Sequence, residues 1–441
     1  MKKNDIFEIE ITGVTDEGDG VGRAENIAVF VPFALLGEVV EVLIIKTYKT
    51  YAIGKLQRVI SPSPHRIKSE CEHFYRCGGC SFQNVNYDAE LSFKEKAVTD
   101  AIRRIGKCDC EILPILGAKN QNCYRNKAQF PVGVEGIGLY ARKSHRIIDM
   151  DFCSIQDEKT AIIIKTVRKW MADFGVPAYD EATDSGLIRH IYTRVGNNKM
   201  LLCIVSRKAE IPHKDELISA LLDTGIEFWG IILNVNEKQT NVVLGKKSLV
   251  LYGKDYMFGK IGDCEFKVSH LSFWQVNSAQ TKVLYDVVMD FASLKGNETV
   301  WDLYCGIGTI GQYIGKNAKK LIGIEIVPEA IEDAKENAKR NGISDFEYYC
   351  GTAESLASSI KDRPDLIILD PPRKGCDRAL IDTVIKTGVK KIVYVSCKAS
   401  TLARDLEILE KNGYKATRIQ PVDLFPRTNH CEAVAEIVKV K

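Results

Sequence analysis

The sequence predicts an α/β protein whose C-terminal domain is a doubly wound parallel sheet, with a small N-terminal β-barrel and a central α+β region before it. Three observations carry this prediction. Strand-like runs over 298–303, 320–324, 365–369 and 391–395 alternate with helical stretches over 328–341 and 401–412, the pattern of a parallel sheet with crossover helices. Residues 5–60 instead alternate in short pieces: Ile9 and Ile11, then 28–32, 39–45 and 52–59, with turn residues from Asp16 to Gly22. Four or five strands in so short a span suggest a small closed barrel. Finally, 441 residues exceed what one hydrophobic core organises. Ser61-Pro62-Ser63-Pro64 reads as a linker. Between it and the last domain the pattern is mixed, with helices over 91–105, 160–174 and 214–222 and strands over 128–134 and 201–205. The domain boundaries that follow are 1–60, 61–265 and 266–441.

With 45% hydrophobic and 27% charged residues, the composition is that of a globular protein and argues against disorder or a fibrous repeat. The net charge of +3 identifies no partner, because nucleic-acid binding needs a local basic cluster more than a large total. No signal-peptide core follows Met1 and no later stretch is long enough to span a bilayer, so the expected location is cytoplasmic, without membrane association. In that compartment the 14 cysteines are expected to be metal ligands, catalytic thiols or small buried hydrophobes, and not disulfides.

The first strand of the parallel sheet runs into Asp302-Leu303-Tyr304-Cys305-Gly306-Ile307-Gly308-Thr309-Ile310-Gly311, where glycines let the backbone approach a ligand. Gly306, Gly308 and Gly311 also fit dinucleotide spacing, which leaves a nicotinamide or flavin enzyme open at this point. Glu325, closing the second strand, suits a ribose diol of either cofactor type. Later strands deliver Asp370-Pro371-Pro372-Arg373-Lys374-Gly375 and Ser396-Cys397. Ligands in open α/β sheets bind beyond the carboxyl ends of the strands, so Asp302, Glu325, Asp370 and Cys397 should face one crevice. The bland alternatives are a stiff loop at the two prolines and a small buried thiol at Cys397.

These segments resemble the bacterial RNA 5-methyluridine methyltransferases, and among them the iron-sulfur-containing 23S rRNA (uracil-5-)-methyltransferases. The resemblance extends over nearly the whole chain. It rests on the combination of Phe273-Trp274-Gln275-Val276-Asn277, the glycine segment, the Asp-Pro-Pro segment, Val395-Ser396-Cys397, Thr401-Leu402-Ala403-Arg404-Asp405 and Thr428-Asn429-His430-Cys431-Glu432. It implies a Rossmann-like S-adenosylmethionine methyltransferase domain, with Gln275, Tyr304, Glu325 and Asp370 at the cofactor. It further implies Cys397 as nucleophile and Glu432 as base. The chemistry explains why both are needed. Uracil C5 is a poor nucleophile until a thiolate adds at C6 and turns the ring into an enolate, and after methylation a base must remove the C5 proton so that the thiol can leave. His430 is a competing base.

The N-terminal segment resembles the TRAM module, an OB-like RNA-binding barrel, through Gly18-Asp19-Gly20-Val21-Gly22-Arg23, Val29-Phe30-Val31-Pro32 and Gly37-Glu38. Lys46, Lys49, Lys55 and Arg58 could face phosphates, and Phe273 and Trp274 could stack on bases. Cys71, Cys77 and Cys80 sit beside the flexible Gly78-Gly79, and the resemblance selects Cys153 as a fourth ligand. Four thiolates suit a [4Fe-4S] cluster or tetrahedral zinc, and the resemblance favours the cluster, making the central region an iron-sulfur domain. After the nucleophile this chain has Lys398-Ala399 where the family generally carries Asn-Pro. The expected partner is RNA, 23S rRNA before tRNA, with no DNA and a monomeric chain. Methylation of an exocyclic base nitrogen, or a noncatalytic iron-sulfur RNA-binding role, are the competing readings.

Overall fold

The computed structural model describes residues 1–357 and 359–440. Strands β1 (Ile6–Val14), β2 (Gly20–Ala24), β3 (Ile27–Val31), β4 (Val39–Thr47) and β5 (Tyr51–Ser61) close a barrel in the order β1-β2-β3-β5-β4. Period-two patterning sorts its residues: Val40, Val42 and Ile44 of β4 turn inward to Ile9, Ile11, Val29 and Val31, while Glu41 and Leu43 between them stay partly exposed. The expected linker at 61–64 is held against this barrel. Glu38, fully buried, accepts hydrogen bonds from the Leu35 amide (2.8 Å), the Ser63 amide (3.2 Å) and Arg66 Nη2 (2.7 Å), and the same Arg66 nitrogen donates to the Phe33 carbonyl at 2.8 Å.

Helix α1 (Tyr87–Arg104) starts at Asn86, whose side chain accepts from the Ala89 amide at 2.9 Å, and has Asp88 and Glu90 in its first turn and Arg103 and Arg104 in its last. After β6 (Glu111–Ile112) come β7 (Lys127–Gly133), β8 (Gly136–Tyr140), β9 (Ile147–Asp149), α2 (Lys159–Asp173), β10 (Ile188–Gly196), β11 (Lys199–Ser206), α3 (Lys214–Leu222), β12 (Phe228–Val235) and β13 (Lys247–Gly253). Seven of these strands form a sheet in the order β13-β12-β11-β10-β7-β8-β9. Helices α2 and α3 cover one face. The other face, through Tyr192, Leu201, Cys203 and Ile232, packs into the C-terminal core by way of the hairpin β14 (Tyr256–Ile261) and β15 (Cys264–Ser269).

The rest is α4 (Ser278–Ala292), β16 (Thr299–Leu303), α5 (Thr309–Gly315), β17 (Lys320–Glu325), α6 (Pro328–Arg340), β18 (Phe346–Cys350), α7 (Ala353–Leu356), β19 (Leu366–Leu369), α8 (Arg378–Thr387), β20 (Lys391–Ser396), α9 (Ala399–Glu410), β21 (Tyr414–Val422) and β22 (Glu432–Lys439). The sheet order is β18-β17-β16-β19-β20-β22-β21-β6. Strands β16 to β20 are parallel and β22 runs antiparallel to its neighbours β20 and β21. Successive residues of β19 serve opposite layers. Leu366 and Ile368 enter the core under α4, α5 and α6, whereas Ile367 and Leu369 enter the one under α8 and α9. Val98 and Ile102 of α1 join that second core, and β6 pairs in parallel with β21. Residues 87–112, which the sequence places with the central region, therefore belong to the C-terminal layer.

Because Glu38 has no other charged partner among the described residues, Arg66→Ala should leave its carboxylate buried and unpaired, at a cost of about 3–5 kcal/mol. Thermal unfolding and limited proteolysis across 61–64 would register this as a lower melting temperature and faster cutting. A variant as protease-resistant as the parent would show that Glu38 does not hold the segment.

Candidate active site

The strand order reverses between β16 and β19, and the crevice at their carboxyl ends is the site this topology offers. Gly308, at φ +82°, caps α5. Gly311 has no room for a side chain, since a Cβ there would lie 2.6 Å from Asp302 Oδ2, the atom that accepts the Gly311 amide at 2.9 Å. The other oxygen of Asp302 is buried and has no partner among the described residues. Tyr304 follows in a left-handed conformation, φ +66°, which costs a non-glycine residue energy and is frequent at ligand sites. Glu325, at the end of β17, accepts from the amides of Gly306 (3.2 Å), Ile326 (2.7 Å) and Val327 (3.0 Å).

Asp370 follows β19, Cys397 follows β20 and Glu432 opens β22. Ser396 pairs with Ala433 across β20 and β22, so Cys397 and Glu432 stand opposite each other at the next position outward. The carboxyl groups here have few counter-charges. Burial pushes Asp302 and Asp370 up to about 7, with Asp370 and Glu325 adding to the effect on Asp302. Glu432 is pushed up to about 8 by burial and then by Asp370, with Arg373 opposing. Cys397 is raised to about 11 by burial and by Glu432 and Asp370, so the thiol is protonated at rest. A cationic ligand fits such a crevice because it would relieve all four groups at once.

His430, the competing base, stands in a different environment from Glu432. Its Nε2 accepts from Arg373 Nη2 at 3.1 Å, and burial together with Arg373, Lys94 and Arg125 drives it down to about 4. The loop carrying Asp370 and Arg373 is pinned from behind. Asp405, fully buried, accepts from the Cys376 amide (2.9 Å) and Tyr394 hydroxyl (2.7 Å), and Arg404 Nη2 donates to the carbonyls of Lys374 and Cys376, both at 3.1 Å. After Cys397, the Ser396 hydroxyl takes over the stiffening that a proline would supply. It donates to the Lys398 carbonyl (3.1 Å) and accepts the Lys398 amide (3.2 Å), and Lys398 is extended at φ −144°. Gln275 is held by its carbonyl, which accepts from Asn126 Nδ2 at 2.9 Å, and its amide side chain has no partner among the described residues. The two aromatic candidates separate: Trp274 is buried against Phe266, while Phe273 is 66% exposed.

Residues 243–439 match the model of the tRNA (uracil-5-)-methyltransferase family, and residues 2–56 match the TRAM domain. An uncharacterized RNA methyltransferase of Clostridium tetani is 44% identical over 98% of this chain and 96% of its own length. One from Halalkalibacterium halodurans is 44% identical over 99% and 97%. The chain belongs to the tRNA (uracil-5-)-methyltransferase family. Among solved structures, the Pyrococcus abyssi tRNA (uracil-54, C5)-methyltransferase in complex with S-adenosyl-L-homocysteine superposes with a TM-score of 0.80, at 25% identity, covering 98% of this chain and all of that one. As an S-adenosylmethionine-dependent RNA methyltransferase, the protein has in its acidic crevice a place suited to a sulfonium.

In this methyltransferase Cys71, Cys77, Cys80 and Cys153 line one small pocket with Phe74, Leu139, Met150 and Ile155. Among the described residues no three His, Cys, Asp or Glu side chains close on one point as a single ion requires. The Gly79 amide donates to Cys77 Sγ (3.4 Å) and Gln83 Nε2 to Cys80 Sγ (3.7 Å). Burial raises the Cys77 thiol, and Cys153 to about 11, so a ligand must displace protons to bind. On the barrel, Lys46, Lys49, Lys55 and Arg58 are all exposed, and Arg58 is paired with Glu41 at 3.3 Å. No helix among the described residues is long and apolar enough to cross a membrane.

The methyltransferase crevice makes a stability prediction. The folded chain holds the Glu432 proton up to about pH 8, whereas the unfolded chain releases it near 4.5. Its contribution to stability is therefore complete below that lower value and is lost as the pH climbs through the upper one. Glu432→Gln cannot ionise. Without cofactor it should melt above the parent at pH 8 and converge with it near pH 5; a constant gap across that range would contradict a buried, proton-binding Glu432.

Proposed function

We propose that this methyltransferase transfers a methyl group to C5 of a uridine in structured RNA, 23S rRNA in the first instance, with Cys397 as the nucleophile and Glu432 as the base. The observation that carries the reading is the facing pair itself: a thiol and a buried carboxyl on adjacent antiparallel strands, beside Asp370 at the switch point. Methylation of an exocyclic nitrogen would use the Asp-Pro-Pro loop but leave Cys397 and Glu432 without a task. The likeness to a tRNA enzyme over 98% of the chain keeps tRNA as a second reading.

S-adenosylmethionine, when bound, supplies a methyl group on a cationic sulfonium. Glu325 would accept from the ribose hydroxyls, and Gln275, Tyr304 and Asp370 would complete the set of residues holding the cofactor. Asp302, Asp370 and Glu432 draw in the positive charge, and that charge lowers the proton affinity of Cys397 and Glu432. With its thiol proton released to solvent, Cys397 adds as thiolate to C6, the C5=C6 pair moves into the enolate, and C5 takes the methyl as the donor's sulfur–methyl bond breaks and its positive charge is cancelled. Once the charge has left with the methyl, Glu432 regains its raised proton affinity at the stage when the C5 proton must be removed. Cys397 leaves from C6 and the ring is restored. The target uridine must be flipped out of its stack to reach Cys397, at a cost of a few kcal/mol that is smallest in loops.

The barrel of residues 1–60, with Lys46, Lys49 and Lys55 exposed, is assigned to phosphate contacts outside the crevice. Cys71, Cys77, Cys80 and Cys153 are assigned to a [4Fe-4S] cluster in the central region. The cluster crosslinks two distant loops when present, and the methyl transfer needs no electron from it.

Three measurements test this. Cys397→Ala should abolish both methylation and adduct, whereas Glu432→Gln should accumulate a methylated RNA–protein adduct seen as a denaturation-resistant band. Substantial methylation by Cys397→Ala would return the reading to nitrogen chemistry. Protein prepared anaerobically should contain iron and sulfide, and stoichiometric zinc without iron would overturn the cluster assignment. Mass mapping of nucleosides from cells with and without the protein should place the missing 5-methyluridine in 23S rRNA, and its loss from tRNA alone would select the second reading.

A further inference from the structure

Residues 423–431, between β21 and β22, deliver Glu432 to the crevice and contain no helix or strand. Their carbonyls are taken one after another by separate parts of the chain. Leu424 O accepts from Asn277 Nδ2 (3.1 Å), Phe425 O from Lys94 Nζ (3.2 Å), Pro426 O from the Tyr124 hydroxyl (2.9 Å), and Arg427 O from the amides of Ser81 and Phe82 (2.9 and 3.0 Å). Lys94 makes the densest of these contacts. Its ammonium also donates at 2.7 Å to Glu90 Oε1 and at 2.7 Å to Asp423 Oδ1, so its three N–H groups have three acceptors. Glu90 Oε1 in turn accepts the Arg427 amide at 2.7 Å, and Asp423 Oδ2 accepts the Tyr87 hydroxyl at 2.8 Å. The side chains of Lys94, Glu90 and Asp423 are fully buried.

We propose that Lys94 is a positioning residue for the catalytic base: it fixes Asp423, Phe425 and, through Glu90, Arg427, and so sets where the Glu432 carboxyl lies. The inference rests on the assignment of Glu432 given above. Stability does not require an ion cluster here, since well-packed apolar residues commonly replace a whole buried cluster without loss, although removing Lys94 alone leaves Glu90 and Asp423 without their shared ammonium and lowers the melting temperature. Docking of α1 is already secured by Val98 and Ile102. What an apolar residue cannot do is hold two acceptors, Asp423 Oδ1 and the Phe425 carbonyl, at fixed hydrogen-bond distances on a segment that lacks secondary structure. Proton removal needs that precision, because a misplacement of about 1 Å can cost on the order of 10²-fold in rate. In the affected step Glu432 accepts the C5 proton, the C5–H electron pair forms the C5=C6 bond, and the C6–S pair returns to Cys397. A displaced Glu432 slows this release without preventing the addition or the methyl transfer that precede it.

The test uses the full-length protein, S-adenosylmethionine and the RNA whose 5-methyluridine is lost in cells without the protein. Lys94→Met and Tyr87→Phe are compared with the parent, Cys397→Ala and Glu432→Gln. The second variant removes one hydroxyl from Asp423 and keeps the ring, which guards against a misfolded Lys94→Met. Expected results are a roughly 10²-fold slower turnover for Lys94→Met and a several-fold slower one for Tyr87→Phe. Both should leave S-adenosylmethionine affinity within about twofold and raise the share of RNA caught as methylated, denaturation-resistant adduct. A purely structural role predicts that turnover, cofactor affinity and melting temperature fall together with no adduct, and that result overturns the proposal. So does parental turnover in folded Lys94→Met. If Glu432→Gln itself gives no adduct, the base assignment fails and the role of Lys94 falls with it; adduct with Glu432→Gln but with neither other variant overturns the Lys94 inference alone.

Discussion

Carboxyl groups gathered at the carboxyl edge of the sheet, with little positive charge beside them, are the constraint on which the site depends. Asp302 and Asp370 are both pushed to about 7 and Glu432 to about 8, with Arg373 the one nearby cation that opposes the rise at Glu432 and Cys397. A protein gains no stability from such an arrangement. The parallel sheet produces it by geometry, since each strand end brings its next residue to the same crevice, and a cationic methyl donor is the ligand that would complete the electrostatics. The same constraint explains the rigid surroundings. Arg404 and Asp405 pin the Asp370–Arg373 loop from behind, and the Ser396 hydroxyl fixes the turn after Cys397, so repulsion is not relieved by movement.

Holding Glu432 there draws on residues far away in the chain. Asn277, Lys94, Tyr124, Ser81 and Phe82 each bond the segment that leads to it, and Asn429 reaches the Asp16 carbonyl of the barrel at 3.1 Å. The amides of Ser81 and Phe82 follow directly on Cys80, so the cysteine pocket and the segment leading to Glu432 are joined by two hydrogen bonds to one carbonyl. Barrel, central sheet and methyltransferase layer thus meet at one loop. Their connection is more direct than three beads on a string would allow.

Much of this was legible in the sequence, and the rest was hidden for physical reasons. The strands β16, β17, β19 and β20 are apolar runs ending in acids, glycines or a cysteine, so both the sheet and its crevice could be read. Helix α3 coincides with the expected 214–222. Helix α1 starts four residues before the expected 91, because its first turn, Tyr87-Asp88-Ala89-Glu90, is polar. Its buried positions include Glu90 and Lys94, which reverse the rule that charged residues mark the exposed face. No periodicity announces a lysine whose partner, Asp423, lies more than three hundred residues away. The same holds for β6, two residues long and placed by pairing with β21. Phe273 and Trp274 were equivalent in sequence, and tertiary packing alone separates them.

The Lys398-Ala399 departure shows how a local rule can be met by other means. Proline would force extended backbone on the residue before it and remove a donor. Here Lys398 is extended without that help, since the Ser396 hydroxyl both gives a hydrogen bond to its carbonyl and receives one from its amide, and Thr401 Oγ1 donates to the same carbonyl at 2.9 Å. Lys398 is also the residue that caps α9, the helix whose Arg404 and Asp405 anchor the Asp370–Arg373 loop. The turn after the thiol and the loop beside it are therefore parts of one hydrogen-bonded unit, so substituting the proline alone changes neither the direction of the backbone at Cys397 nor its place opposite Glu432.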